Sequence, residues 1–277
     1  MKFARKVIST GIMSFQSSIA YRGNFLMALF AGMVTFITQV LFWPALYGVK
    51  LTDRAGQFSG SIAGYRLNDM ISYSLMVYIL QWGISAASTG YSIKEDVLSG
   101  RLNNYILKPF NYLSIKAIFS LTGQIITSIL SVLVFLLIVW KMGGLLSPRP
   151  EGLSQLFAIP AVFISFIISF LISSLAGLVS FWILETSSLN AFIKGALLIL
   201  SGAVFPLNFI DGFFGKLLQL LPFSYMIFFP AQIFLGRMSA AAMIQNYAIS
   251  LFWILLLSLM VRFFWRRGLN RYSAFGG

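Results

Sequence analysis

Charged side chains are rare in this sequence, yet Lys94, Glu95, Asp96, Arg101, Lys108 and Lys116 fall within one short stretch between two apolar runs. In that stretch the acids come first, Ser99-Gly100 permits a turn, Arg101 follows, and Pro109 ends any helix. Leu98, Leu102, Tyr105 and Ile106 can share one apolar face. The chemistry this supports is recognition: a short amphipathic handle that docks into a groove of a soluble protein through ion pairs and apolar contact. The same pattern also suits an amphipathic loop at the level of lipid headgroups. The candidate contact residues are Lys94, Glu95, Asp96, Val97, Leu98, Ser99, Gly100, Arg101 and Leu102.

Two further groups could do chemistry. Ser74, Tyr78, Gln81, Ser85, Ser88 and Ser92 recur at a 4-3-4-3-4 spacing, which places them on one face of a helix. Facing lipid they would gain nothing. They either hold helices together by hydrogen bonds or line a water-accessible path. Pro206, Asp211, Gly212, Gly215, Lys216, Pro222 and Pro230 interrupt an apolar stretch near the C-terminal third and mark irregular backbone there.

Catalytic chemistry has little to work with. The chain has no Cys and no His, which removes thiol nucleophiles, disulfides, the usual transition-metal sites and any Ser–His relay. No Walker A pattern and no Gly-x-Ser-x-Gly elbow occurs. No catalytic residue, metal site or cofactor of its own is expected, and the chain reads as a non-enzyme. The acids fall in loops or near the ends of apolar runs, with Glu185 the nearest to an exception, so ion coupling through deep carboxylates is not indicated.

The elements that must carry these residues are membrane helices. Of the 277 residues 58% are hydrophobic, 16% aromatic and only 10% charged, and the mean hydropathy is +0.87. Soluble domains carry about a quarter of their residues charged. The runs are long and continuously apolar, unlike the short alternating strands of a membrane barrel. The net charge of +13 sits at the ends of those runs, so it reads as orientation in a bilayer rather than as a nucleic-acid face.

In chain order, residues 1–22 carry four cations and a helical apolar row, an interfacial amphipathic helix. Spans are expected at Gly23–Val49, Met70–Ile93, Ala117–Trp140, within Leu156–Leu184, up to about Val204, and at Ser239–Val261. Trp43 and Tyr47 are placed as interface aromatics. Ser165, Ser169, Ser173 and Gly177 form a small-residue seam, and Pro160 marks a kink at the start of its span. Leu217–Gly236 is long enough to cross a bilayer, but its prolines favour a broken, re-entrant pair of half-helices within 205–236. Six spans put 13 of the 20 basic residues inside, whereas seven reverse the bias, so six spans with both termini cytoplasmic are expected. The expected fold is a single all-α integral membrane domain over 1–277, with a cytoplasmic loop at 94–112.

At that loop, Ile93-Lys94-Glu95-Asp96-Val97-Leu98-Ser99-Gly100-Arg101-Leu102-Asn103-Asn104-Tyr105-Ile106-Leu107-Lys108-Pro109 resembles the first cytoplasmic loop of ABC-2 type exporter permeases. It is most similar to the six-helix subgroup paired with a second, unlike permease and a separate ATPase. Tyr21-Arg22-Gly23-Asn24-Phe25 resembles the start of that family's first span. Gly202-Ala203-Val204-Phe205-Pro206-Leu207, Leu221-Pro222-Phe223 and Phe229-Pro230 resemble its re-entrant region, and Arg271-Tyr272-Ser273-Ala274-Phe275-Gly276-Gly277 its tail.

The resemblance implies the transmembrane subunit of an ATP-driven exporter in the plasma (inner) membrane. Glu95, Asp96, Gly100 and Arg101 would lie in or beside a coupling helix, and residues 1–22 would form a connecting helix. It implies two copies of a partner ABC ATPase that hold ATP and Mg, and a second permease chain, identical or not, that forms the dimer. Residues Ser74, Tyr78, Gln81, Ser85 and Ser88 would line the pathway, and Phe205, Pro206, Pro222, Phe223 and Pro230 would form the outer gate. An amphipathic or lipid-like cargo is expected. The alternatives are a non-transporting membrane anchor for a surface machine, and a secondary transporter.

Overall fold

The computed structural model describes residues 22–48, 60–83, 87–106, 111–122, the single positions 133, 137 and 140, 154–183 and 187–272. The expectations for residues 1–21, Ser85 and the tail 273–277 lie outside them. Among the described residues the only β-type pairing is an isolated bridge between Ile62 and Tyr65; everything regular is helical.

The helices are α1 (Arg22–Leu46), α2 (Leu67–Gly83), α3 (Ala87–Leu98), α4 (Asn103–Ile106), α5 (Tyr112–Thr122), α6 (Ser154–Leu178), α7 (Ser187–Leu200), α8 (Gly212–Leu220), α9 (Phe228–Phe234) and α10 (Ala240–Arg271). Two are long and apolar enough to cross a membrane outright: Leu156–Phe181, which is α6 with its 3-10 extension, and α10. Shorter apolar helices occupy Gly32–Leu46, Tyr112–Thr122 and Ala191–Leu200.

α6 is the central post. Its small-residue seam lets neighbours approach to backbone contact. Gly90 of α3 donates its N–H to Ser173 Oγ at 2.9 Å, which joins the two helices directly. A Cβ on Gly177 would stand 2.6 Å from the Gly90 carbonyl oxygen, so only glycine fits that crossing. Ser165, fully buried in the same row, donates to the carbonyl of Met226 and so ties α6 to the broken stretch that precedes α9. Pro160 lies inside α6 near its start.

Two helix boundaries and one side chain differ from expectation. Helix α3 continues to Leu98, so Lys94–Leu98 belongs to a helix end and the connection proper starts at Ser99. Helix α10 runs ten residues past Val261, to Arg271. At 1.5 Å per residue its 32 residues extend about 48 Å, well beyond a ~30 Å hydrocarbon core. Arginines mark where such a helix leaves lipid, not where it stops. Third, Trp43 is 3% exposed and donates from its indole N–H to Ser74 Oγ at 2.9 Å. It is an α1–α2 packing residue rather than a lipid-interface aromatic.

The stretch Leu217–Gly236 does not form one helix. α8 stops at Leu220, Pro222 opens a 3-10 turn (Pro222–Tyr225), and α9 starts at Phe228 with Pro230 in its first turn, where a missing N–H costs nothing. Helices of nine and seven residues extend only about 14 and 10 Å. The Phe228 N–H instead donates to the Ser201 carbonyl at 3.0 Å, which closes the segment onto the end of α7.

Candidate functional site

The end of α3 turns through Gly100, whose φ of +74° suits glycine, and the turn is closed by the Leu102 N–H donating to the Asp96 carbonyl at 3.0 Å. Leu102 is fully buried beneath the turn, Ile93 and Val97 are buried on the same side, and Leu98 and Tyr105 are half-buried. The expected apolar face therefore exists, and it packs inward.

The two acids, adjacent in sequence, differ in burial, while Arg101 reaches both, with its Nε 3.7 Å from Asp96 Oδ1. Glu95 is about half exposed and pairs with Arg101 at 2.6 Å. Ser99 Oγ donates to the Glu95 carbonyl at 2.6 Å and accepts from Arg101 Nε at 3.1 Å, so the exposed pair is held over the turn. The Glu95 carboxylate keeps the Arg101 guanidinium protonated beyond its ordinary range, first by hydrogen bonding and then by charge.

Asp96, by contrast, is only 5% exposed. Its Oδ2 lies 2.7 Å from Lys116 Nζ and accepts from the Tyr112 hydroxyl at 2.7 Å. Lys116 also donates to Ser92 Oγ, and its ammonium lies near the Tyr105 and Tyr112 rings. Tyr112 stacks on Trp265 of α10, with ring centroids 5.1 Å apart and planes 7° apart. Burial, and then the hydrogen bond and charge of Asp96, push the Tyr112 hydroxyl well above its ordinary pKa. Phe181 adds an edge-on contact to Trp265 and fits against Gly268, where any Cβ would overlap its ring. Asp96, expected at the docking surface, is therefore a buried tie between α3, α5 and α10. A cleft of about 390 Å³ opens between α3 and α5 above it, lined by Thr89, Ser92, Arg101, Lys116 and Ser120 among others.

A second polar cluster lies at the other end of α10. Arg237 reaches Asp69 at 2.5 Å and the Gly64 carbonyl at 3.1 Å, and its guanidinium covers the Tyr65 ring at 3.8 Å. The buried Tyr65 hydroxyl accepts from Gln232 at 2.6 Å and from Asn208 at 3.2 Å. Tyr47 donates to the Tyr65 carbonyl at 2.6 Å, and Tyr73 to the Gly202 carbonyl at 2.6 Å. From Arg237 to Trp265 is 28 residues, about 42 Å if helical throughout, so the two clusters stand at opposite ends of the longest helix among the described residues.

Of the expected gate residues, Phe205 stacks against Phe209, whose ring meets Trp43 and Tyr65 edge-on. Pro206 and Pro222 each precede or open a 3-10 turn, and Pro222 and Pro230 are buried. Phe223 is half-buried. Of the polar row, Ser74 binds Trp43 and Tyr78 packs its ring against Phe36, so both are used between α1 and α2; Gln81 is half-buried. Ser88 is placed by its backbone alone in α3, and Ser92 turns toward Lys116. Tyr65, Asp69, Tyr112, Gln232, Arg237 and Trp265 carry no local motif; the signal available was a lone acid, Asp69, and a lone base, Arg237, each just outside an apolar run.

The sequence model of a family described as ABC-2 family transporter protein matches residues 24–276. The chain belongs to that family. No curated protein matches it. As an ABC-2 transporter protein it is a membrane-integral transport component, and the long apolar helices α6 and α10 are what such a component requires. Among the described residues of this ABC-2 protein no cluster of acids could hold a metal ion.

Proposed function

We propose that this ABC-2 protein is the permease subunit of an ATP-driven exporter, and that the turn Ser99–Leu102 with its flanking helix ends is the handle gripped by a soluble ATPase. The observation that carries this reading is the mounting of the handle. An exposed Glu95–Arg101 pair sits directly above a buried Asp96–Lys116–Tyr112 cluster whose members belong to three helices. Exposed ion pairs add little to stability, but they select and orient a partner. A displacement applied at Glu95 and Arg101 is passed to α3, α5 and α10 together, because the buried ties leave no slack between them.

In this reading six helical passes keep both termini cytoplasmic, and the segment between α7 and α10 is a re-entrant plug on the outer side. Two permease chains face each other across the pathway, and the half-buried Gln81 and the serines of α3 are its candidate lining. ATP and Mg are held by the partner ATPase subunits. Closure of those subunits draws the two handles together and switches the bundle between inward- and outward-facing states, which moves an amphipathic cargo out.

The test is charge reversal at the handle. Glu95→Arg and Arg101→Glu, made singly, abolish co-purification of the ATPase from native membrane while insertion and thermal midpoint stay unchanged. The double swap restores the internal pair but presents reversed charges to the partner, and co-purification stays lost. Full ATPase recovery with either single variant overturns the handle.

A further inference from the structure

The last turns of α10 carry a feature that neither the handle nor the end-to-end architecture uses. Leu259, Arg262, Phe263, Arg266, Arg267 and Asn270 follow one another at i, i+3, i+4, i+7, i+8 and i+11, so they share one face of the helix. That face forms a groove of about 460 Å³. Leu259 and Phe263 are each 53% exposed, and they continue an exposed apolar row that includes Leu251 and Leu255. The Arg267 guanidinium lies 5.1 Å from the centroid of the Phe263 ring, so the charged and apolar parts of the groove adjoin.

The charge balance here differs from the rest of the molecule. Arg101, Lys116 and Arg237 each face a carboxylate. Among the described residues Arg262, Arg266 and Arg267 form no ion pair, although they crowd three positive charges into two turns. Mutual repulsion at that spacing is relieved by an anion. Three planar guanidiniums fit phosphate oxygens by paired hydrogen bonds, and an apolar floor on the membrane side fits an acyl chain. A ligand that satisfies both at the point where a helix leaves the bilayer is a phospholipid with net negative charge.

We propose that this face of α10 is a binding site for an anionic phospholipid: phosphate against Arg262, Arg266 and Arg267, polar headgroup atoms toward Asn270, and one acyl chain along Phe263, Leu259 and Leu255. The inference rests on family membership and on this groove, and is independent of the ATPase handle.

The full-length chain is purified in mild detergent, incubated with an equimolar mixture of phosphatidylglycerol and phosphatidylcholine, and the lipids that remain bound are counted by native mass spectrometry. The wild type retains phosphatidylglycerol in at least fivefold preference. The triple variant R262Q/R266Q/R267Q, which keeps length and polarity, loses that preference. Lys216→Gln on α8, an exposed cation outside the groove, leaves it intact. Equal retention of phosphatidylglycerol by wild type and triple variant, or no preference in the wild type, overturns the site. Displacement of the lipid by millimolar inorganic phosphate overturns the lipid assignment in favour of a soluble phosphate. Should the triple variant misfold, the uncharged Phe263→Ser tests the apolar floor alone and is expected to lower retention severalfold; unchanged retention in that variant overturns the proposed pose.

Discussion

Lys116 Nζ lies 2.7 Å from Asp96 Oδ2, and both side chains are largely shut off from water. This pair joins the end of α3 to the start of α5 directly beneath the exposed Glu95. Its partners Tyr112 and Trp265 bring in α10. A local pair thus becomes a three-helix junction.

Breaking this pair one side at a time strands a buried charge. Asp96→Ala is expected to destabilise the protein by about 3 kcal/mol, because the Lys116 ammonium then has no counter-charge. Lys116→Met alone strands the carboxylate in the same way, and the double variant Asp96→Ala with Lys116→Met removes both charges and recovers most of the loss. Thermal midpoints of the four proteins in one detergent give the coupling; additive effects would show that the pair is not a tie.

The crossing of α3 and α6 has no room for a side chain. Gly177→Ala places a methyl against the Gly90 backbone and is expected to cost about 1–3 kcal/mol. Gly195→Ala, in α7 with nothing near the added methyl, is expected to be neutral or to gain up to ~1 kcal/mol. Equal loss at both sites, measured by thermal unfolding, would locate the crossing elsewhere.

At the opposite end, Tyr65→Phe removes the acceptor of a Gln232 amide that is 2% exposed. The expected loss is about 1–3 kcal/mol, since an unpaired buried donor bears its full desolvation cost. Adding Gln232→Leu to Tyr65→Phe is expected to recover part of the loss, and a further loss in the double variant would contradict the hydrogen bond.

The Tyr112 hydroxyl gives the junction an alkaline limit. Its pKa is raised in the folded chain by burial and by Asp96, so the unfolded chain is the first to ionise as pH rises. The stabilising contribution is complete below the ordinary tyrosine pKa of about 10 and is lost as pH climbs above it. The stability difference between wild type and Tyr112→Phe should be constant from pH 7 to 9 and change above pH 10. A difference independent of pH up to 11 would mean that Tyr112 is solvated.

Much of the scaffold was legible in local sequence because its causes are local. Uncharged runs of helix length gave α1, α6 and α10, and prolines at 222 and 230 gave the break between α8 and α9. The four-residue repeat Ser165–Gly177 gave the close seam, since small residues at one helical register are themselves the cause of close approach. The turn at Gly100 followed from glycine's access to positive φ. What sequence could not assign was which of two adjacent acids is a surface group. Glu95 and Asp96 carry the same charge and differ by one methylene. Successive helical side chains point about 100° apart, and only the positions of Lys116, Tyr112 and Trp265 make one direction the interior. Tyr65 meeting Gln232, 167 residues later, likewise depends on helices folding back on one another. Hydropathy and turn chemistry determined where this chain is helical and where it breaks; tertiary packing alone decided which polar groups are buried ties and which stay exposed.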